Sequence, residues 1–203
     1  HANRSVAGGT DRLSRMESRL DIGFELDRRW HLLRGEMDSS KKPDLLALAT
    51  ILATTGTPYA IIGGVALQIH QTEPRTTLDI DLAVPDVTAL PDSALLAAGF
   101  TRTGVLPHSV NWIGPGGTPV QFSDDPAFRD AIERSTTSTV DGTPLRVAAP
   151  LHLVKAKLRA ARDPGRRRSK RIQDRADAVS LVESQPSLLA ELTAEERSEI
   201  DRA

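Results

Sequence analysis

Hydrophobic and polar positions divide the chain into a helical beginning, a mixed middle and a helical end. Between residues 11 and 37 apolar side chains recur at mostly three- and four-residue steps, which predicts an amphipathic helix with a candidate break at Gly23. Pro43 suits the first turn of a second helix, which is predicted to run to about Thr54. Residues 1–57 are therefore predicted to form a helical extension.

Short apolar runs separated by turn residues characterise residues 58–150. They predict several strands, with helices over residues 65–71 and 87–98, a short helix or loop over 124–134 and a turn-rich stretch over 135–144. A glycine-rich turn at residues 114–117 makes 110–122 a predicted hairpin. The predicted strands are 59–62, 77–84, 100–105, 110–113, 119–122 and 145–148.

Residues 151–203 return to a helical pattern. Helices are predicted over 151–161 and 172–182, followed by a charged helical tail from Pro186. The fold class predicted from these patterns is α/β (α+β), with a small mixed β-sheet flanked by helices. The predicted segments are an extension at 1–57, an α/β core at 58–150 and a helical part at 151–203 that packs on the core.

The candidate chemistry lies between Tyr59 and Val84, in the stretch YAIIGGVALQIHQTEPRTTLDIDLAV. Asp79 and Asp81 are two residues apart on a predicted strand, so both should project from the same face. Neighbouring carboxylates repel each other, and a divalent cation between them removes that repulsion. The alternative interpretation is a polar strand end with two solvated aspartates.

Two glycines and two polar residues accompany these aspartates. Gly63 and Gly64 lack Cβ atoms, so their backbone can approach a phosphate closely at the start of a helix, whose dipole also favours anions. The alternative is a tight strand–helix turn. Arg75 and Thr77 could bind phosphate oxygens or lock the strand, and Arg75 could equally form a structural salt bridge.

Composition narrows the classes of function. The formal net charge is -1, so any nucleic-acid surface would have to be local. The 203 residues include no cysteine, which excludes a disulfide scaffold, a thiol nucleophile and a zinc–thiolate site. No apolar run approaches a membrane span, and the N-terminal residues lack the apolar core of a signal peptide. We therefore expect a cytoplasmic protein with no membrane partner.

The combination of G-G-x-A, R-T-T-x-D-I-D-L and a later K-L-x-A helix resembles the nucleotidyltransferase superfamily. Within it, the chain is most similar to the bacterial AbiEii/AbiGii toxin family and its minimal relatives, over about residues 58–182. The resemblance implies that Gly63 and Gly64 cradle the phosphates of a nucleoside triphosphate. It also implies that Asp79 and Asp81 hold Mg²⁺ or Mn²⁺.

Later positions match the superfamily less completely. Its usual third carboxylate falls on the predicted strand 119–122, where Gln121 occupies the position, and Asp124 or Asp125 could substitute. Glutamine carries no charge and cannot act as a base. The resemblance implies that Lys157 reaches the triphosphate, with Lys155 as the alternative register.

A basic and acidic helix follows this lysine. There the resemblance implies that Asp174 orients Lys157 or pairs with a neighbouring arginine. The alternative is a solvated helix with surface ion pairs. Its charged residues are Arg168, Lys170, Arg171, Asp174 and Asp177.

The resemblance implies a Mg²⁺-dependent enzyme that moves a nucleotide from a nucleoside triphosphate to a hydroxyl of tRNA or of a protein. It also implies a toxin of a toxin–antitoxin or phage-defence system, with an antitoxin as partner. Gln121 favours a second interpretation, a non-catalytic relative that binds nucleotide or a partner protein. An antibiotic-modifying transferase would share the same chemistry.

Overall fold

The computed structural model describes residues 7–33, 41–72 and 76–202. Within these ranges one seven-stranded mixed sheet is flanked by eight α-helices, so the predicted fold class is confirmed. The helices are α1 (Ala7–Leu33), α2 (Lys42–Thr54), α3 (Gly63–His70), α4 (Asp92–Ala97), α5 (Arg129–Glu133), α6 (Pro150–Arg162), α7 (Arg168–Ser184) and α8 (Ala194–Asp201). The strands are β1 (Ala60–Ile62), β2 (Ile80–Ala83), β3 (Thr101–Leu106), β4 (Ser109–Ile113), β5 (Pro119–Ser123), β6 (Thr136–Val140) and β7 (Thr143–Val147).

The strands are arranged in the order β3-β4-β5-β2-β1-β7-β6. The pairs β2–β5 and β1–β7 are parallel, and the other neighbouring pairs are antiparallel. The predicted hairpin over residues 110–122 is confirmed as the antiparallel pair β4–β5. None of the helices in the described ranges is long and apolar enough to cross a membrane.

Alternation along the central strands separates an apolar core from a polar face. Successive side chains on a strand point to opposite sides, and laterally paired residues share a side. In the paired rows that run from β2 through β5 to β4, one set of side chains is apolar and almost fully buried: Ile80, Leu82, Val120, Phe122, Val110 and Trp112. The intervening row contains Asp81, Gln121 and Asn111, so the opposite face of these strands is polar.

The hydrophobic core draws residues from all three predicted segments. Phe24 and Leu48 come from the helical extension, Ile61 from the central part, and Leu158 and Leu181 from the C-terminal helices. The division of the chain into three domains stays a prediction.

The predicted break in the first helix is wrong, because α1 continues through Gly23. Gly23 is buried against α3, where an added Cβ would lie 2.5 Å from Gln68 Nε2. The small residue therefore serves the close approach of two helices.

The second strand starts later than predicted, at Ile80 instead of Thr77. The backbone N–H of Thr77 donates to Asp27 Oδ1 of α1 at 2.7 Å, so a side chain takes the place of a ladder partner. Gly63 and Gly64 also differ from the prediction, because they form the first turn of α3 and do not precede it.

Most of the stretch 135–144 belongs to the β6–β7 hairpin, which spans residues 136–147, and is not an irregular turn region. Its two-residue loop has φ values of 46° at Asp141 and 77° at Gly142, as Asp-Gly hairpin turns require. The predicted helix over 87–98 is divided into a 3₁₀ turn (Val87–Ala89) and α4, because Pro91 lies between them.

Asp44 connects α2 to the turn between β4 and β5. Its side chain is 2% exposed and accepts the N–H of Gly116 at 3.1 Å and that of Thr118 at 3.4 Å. A Cβ at Gly114 would overlap the Asp44 carboxylate, which accounts for glycine at that position.

We expect Asp44→Ala to lower the free energy of unfolding by about 1–3 kcal/mol, because two backbone amides lose their acceptor. Urea unfolding measures this change. Asp44→Asn keeps an acceptor oxygen and should lose less. Equal losses for the two variants would show that these hydrogen bonds contribute little.

Candidate active site

A cavity of about 700 Å³ lies between the polar edge of β2 and β5 and the helices α6 and α7. Its volume is within the range of small-molecule binding sites. The predicted site residues that line it are Gly63, Asp79, Asp81, Gln121, Lys157 and Asp174. The structure thus brings together side chains that are up to 111 residues apart in the chain, from Gly63 to Asp174.

The sheet provides the acidic wall of this cavity. Asp81 is paired with Ile62 of β1 on one side and with Gln121 of β5 on the other. Gln121 Nε2 donates to Asn111 Oδ1 at 3.3 Å, which leaves the Gln121 carbonyl oxygen outside that bond. Asp79 lies one residue before β2, and its Oδ1 accepts from Thr77 Oγ1 at 3.2 Å.

The two glycines at the start of α3 have different surroundings. Gly63 lines the cavity with φ +62°, and a Cβ there would overlap Asp81 Oδ2. Gly64 is buried, and a Cβ there would overlap Thr77 Oγ1. Gly63 therefore leaves room for the Asp81 carboxylate beside the helix terminus, while Gly64 lets α3 approach Thr77.

Lys157 lies on the helical wall between two buried carboxylates. Its Nζ is 2.9 Å from Asp174 Oδ1 and 2.8 Å from Asp177 Oδ2. Asp174 also accepts hydrogen bonds from Arg166, so it contacts both the lysine and an arginine. Lys155, the alternative register, is exposed and is not among the residues that line the cavity.

Arg159 lines the cavity, but the sequence analysis gave it no role. Arg159 is held on the wall by Asp125, 3.2 Å away, and by the Phe128 ring, whose centroid is 5.3 Å from the guanidinium carbon. Arg166 and Lys170 also line the cavity. They belong to the basic run 166–171, but the pattern alone does not indicate which of its members turn inward.

The two candidates for a substitute carboxylate, Asp124 and Asp125, lie in different surroundings. Asp125 lines the cavity, whereas Asp124 is directed to His108 Nδ1 at 3.2 Å and to the N–H of Val87 at 3.3 Å. Arg75 lies outside the described residues. The roles assigned to the individual site residues from the sequence stay predictions.

Asp79 and Asp81 are the residues that could hold a metal. No group of three or more His, Cys, Asp or Glu side chains suited to a metal is found among the residues that the structure describes. Mg²⁺ is commonly held by one or two carboxylates and completed by substrate phosphates and water. The donor set therefore fits a metal ion that is bound together with a phosphorylated substrate.

His152 lies in the cavity near the start of α6. Burial lowers the pKa of His152 below its ordinary value of 6.5, and the nearby Arg134 and Lys155 act in the same direction. The carboxylates of Asp130 and Glu191 act in the opposite direction. The net effect favours the neutral imidazole.

Because the pKa of His152 is lowered on folding, its contribution to stability is present above pH about 6.5 and is lost as the pH falls. We expect His152→Gln to reduce the difference in the free energy of unfolding between pH 7.5 and pH 5.5. Urea titrations of the wild type and the variant at both pH values measure it. An unchanged pH difference in His152→Gln would contradict this expectation.

Gly63→Ala should lower stability by more than backbone strain alone, because its methyl group also displaces the Asp81 carboxylate. Gly56→Ala is a matched control, since Gly56 has φ +66° and an added Cβ there meets no atom within 4 Å. We expect a loss of about 1–2 kcal/mol for Gly56→Ala and a larger loss for Gly63→Ala. Urea unfolding compares them, and equal losses would mean that Asp81 accommodates the methyl group.

No protein-family model and no curated protein sequence matches the chain. Solved structures that resemble it include an antigenic nucleotidyltransferase-like protein from Paracoccidioides brasiliensis, at 20% identity over 79% of this chain and 91% of that chain, with a TM-score of 0.48. The antibiotic-resistance factor ANT(2'')-Ia is 17% identical over 78% of this chain and 95% of that chain, with a TM-score of 0.50. JHP933 from Helicobacter pylori is 19% identical over 76% and 69%, with a TM-score of 0.48.

At these identities the similarity concerns the fold alone. It agrees with the mixed seven-stranded sheet and flanking helices described above. The chain therefore shares a mixed α/β fold with the antibiotic-resistance factor ANT(2'')-Ia.

Proposed function

We propose that the protein is a Mg²⁺-dependent nucleotidyltransferase that transfers a nucleotide from a nucleoside triphosphate to an acceptor hydroxyl. One observation carries this proposal. Asp79 and Asp81 line one side of the cavity, and the cationic side chains of Arg159, Arg166 and Lys170 line another part of it. A metal–triphosphate complex needs both kinds of charge in one site.

In this reaction the acceptor oxygen forms a bond to the α-phosphorus and the bond to the β-phosphate oxygen breaks. The hydroxyl proton passes to solvent water, and pyrophosphate is released with the electron pair of the broken bond. Mg²⁺, when bound, supplies positive charge that stabilises the attacking and leaving oxygens. Asp79 and Asp81 would hold it, and Gln121 beside Asp81 would contribute a neutral carbonyl oxygen.

The cations of the helical wall would neutralise the phosphates. Arg159 and Arg166 are each tied to a carboxylate, which fixes their direction, and each is nearly half exposed towards solvent. The Lys157 side chain is less exposed than those of Arg159 and Arg166, and it is already paired with Asp174 and Asp177. A triphosphate that contacts Lys157 would therefore share its ammonium group with these two carboxylates. Gly63 would allow the phosphates to approach the backbone at the start of α3.

The sequence resemblance supports a narrower proposal. The protein would be an AbiEii-like bacterial toxin of a toxin–antitoxin or phage-defence system, acting in the cytoplasm on tRNA or a protein. Its antitoxin would be the physiological partner. An antibiotic is another acceptor to test, because the structure of an antibiotic-resistance factor shares this fold.

Gln121 supports a second candidate function, a non-catalytic nucleotide-binding module. The strand position beside Asp81 carries an uncharged amide, which can neither attract a second metal ion strongly nor accept the acceptor's proton. Such a protein would bind the triphosphate without transferring any part of it.

The test is transfer of label from each α-³²P nucleoside triphosphate to total RNA, to protein and to antibiotics, with and without Mg²⁺. We expect Mg²⁺-dependent transfer by the wild type and a loss of about 100-fold or more in Asp79→Asn, since a metal-bound carboxylate stabilises the transition state by several kcal/mol. Asp92→Asn is the matched control, because Asp92 pairs with Arg102 at the surface.

The labelled product identifies the base and the acceptor class. Nucleotide binding by calorimetry without transfer to any acceptor would favour the non-catalytic function. Transfer that Asp79→Asn retains in full would contradict the assignment of the metal site.

A further inference from the structure

A buried ion pair lies next to Thr77, which precedes Asp79 in the chain. Asp27 of α1 and Lys41, the residue before α2, are each 1% exposed, and their Nζ and Oδ2 atoms are 2.9 Å apart. Removing two charges from water is costly, and an apolar pair of similar volume often stabilises a protein as well or better. Stability alone therefore does not account for this pair, whereas the other contacts of Asp27 give it a further role.

Two hydrogen bonds connect Asp27 to Asp79. Asp27 Oδ1 accepts the backbone N–H of Thr77 at 2.7 Å, and Thr77 Oγ1 donates to Asp79 Oδ1 at 3.2 Å. A chain of directional bonds thus connects Lys41, Asp27, Thr77 and Asp79.

Asp79 depends on this chain more than Asp81 does. Asp81 lies within β2, where both neighbouring strands fix its backbone. Asp79 and Thr77 precede the first residue of β2, and at Thr77 the Asp27 carboxylate supplies the acceptor. Thr77 is also packed against Gly64 of α3, which restricts its side chain from the other side.

The helix α1, which carries Asp27, is held in place by further contacts. Arg19 Nη1 donates to the carbonyl oxygen of Gln71 at 2.8 Å, and Gly23 packs closely against Gln68. Asp27 follows one turn later on the same helix. Burial raises the pKa of Asp27, and the Lys41 ammonium is the main influence that opposes this rise.

We propose that Asp27 is a positioning residue for the metal site: it sets the direction of the Asp79 carboxylate through Thr77. Lys41 balances its charge in the interior. This inference rests on the proposed function, in which Asp79 is a metal ligand. It makes α1 a part of the active-site support and not only a packing helix.

Two double variants isolate the acceptor oxygen. Asp27→Asn with Lys41→Met removes both buried charges and keeps an oxygen for the N–H of Thr77. Asp27→Leu with Lys41→Met removes the charges and the acceptor together. Both replace the ion pair with neutral side chains of similar size, so a purely structural role predicts the same result for both.

The first readout is Mn²⁺ affinity in the presence of a saturating α,β-methylene nucleoside triphosphate, which supplies the phosphate ligands but cannot be turned over. Water-proton relaxation measures it. We expect the Leu/Met variant to bind Mn²⁺ about 10–100-fold more weakly than the wild type, which is the usual effect of losing a partner that orients a metal ligand. The Asn/Met variant should remain within about threefold of the wild type. Asp44→Ala controls for lost stability, because Asp44 supports the turn between β4 and β5 and does not line the cavity.

Single variants of Thr77 test the same chain without changing the ion pair. Thr77→Val removes the hydroxyl that donates to Asp79 and should weaken Mn²⁺ binding, whereas Thr77→Ser should retain it. If a double variant fails to fold, equal Mn²⁺ affinity in these two variants still overturns the proposal.

Equal Mn²⁺ affinity in the wild type and the Leu/Met variant overturns the proposal, and so does an equal loss in the Asn/Met and Leu/Met variants. Equal affinity in Thr77→Val and Thr77→Ser also overturns it. These results leave the proposed transferase activity intact if the wild type transfers nucleotide. A wild type that neither binds Mn²⁺ nor transfers nucleotide overturns both proposals.

Discussion

The pairing of β2 between β1 and β5 governs the rest of the structure. It places Asp81 beside Gln121 on one face, and in the same register it buries Ile80 and Leu82 with Val120 and Phe122 on the other. A shift by one residue would turn the carboxylate into the core and expose the apolar side chains. The packing energy of the core therefore also fixes the direction of the polar row.

Close approach between backbone and polar side chains is the second requirement of the site. Gly63 and Gly64 let α3 lie against Asp81 and Thr77 at distances that no Cβ would permit. The helix can then begin directly at the end of β1, next to the acidic wall. Both positions need glycine because a Cβ would overlap a neighbouring side chain. Gly63 needs it also because of its positive φ.

The cavity combines carboxylates and cationic side chains on its walls. Lys157 is balanced by Asp174 and Asp177, and Arg159 by Asp125, so the helical wall is held in place by its own ion pairs. Partly buried pairs of this kind contribute more to direction than to stability. The acidic pair on the sheet lies in the same cavity, and this separation of charge suits a ligand that carries both a cation and phosphates.

The sequence by itself determined the mixed sheet, the hairpin over 110–122 and the positions of the paired glycines and aspartates. These features follow from alternation, turn residues and spacing, which are local properties of a chain. Even so, the Asp141-Gly142 hairpin turn was overlooked, although its sequence signal is local and specific.

Only the tertiary structure decided which polar groups meet. It placed Gln121 beside Asp81, turned Asp125 and not Asp124 into the cavity, and brought Asp27 to the N–H of Thr77 across 50 residues of sequence. It also made β2 begin at Ile80 and not at Thr77, because a carboxylate from α1 accepts the Thr77 N–H in place of a ladder partner. Periodicity records the face on which a residue lies, whereas the partner on that face depends on how distant segments pack.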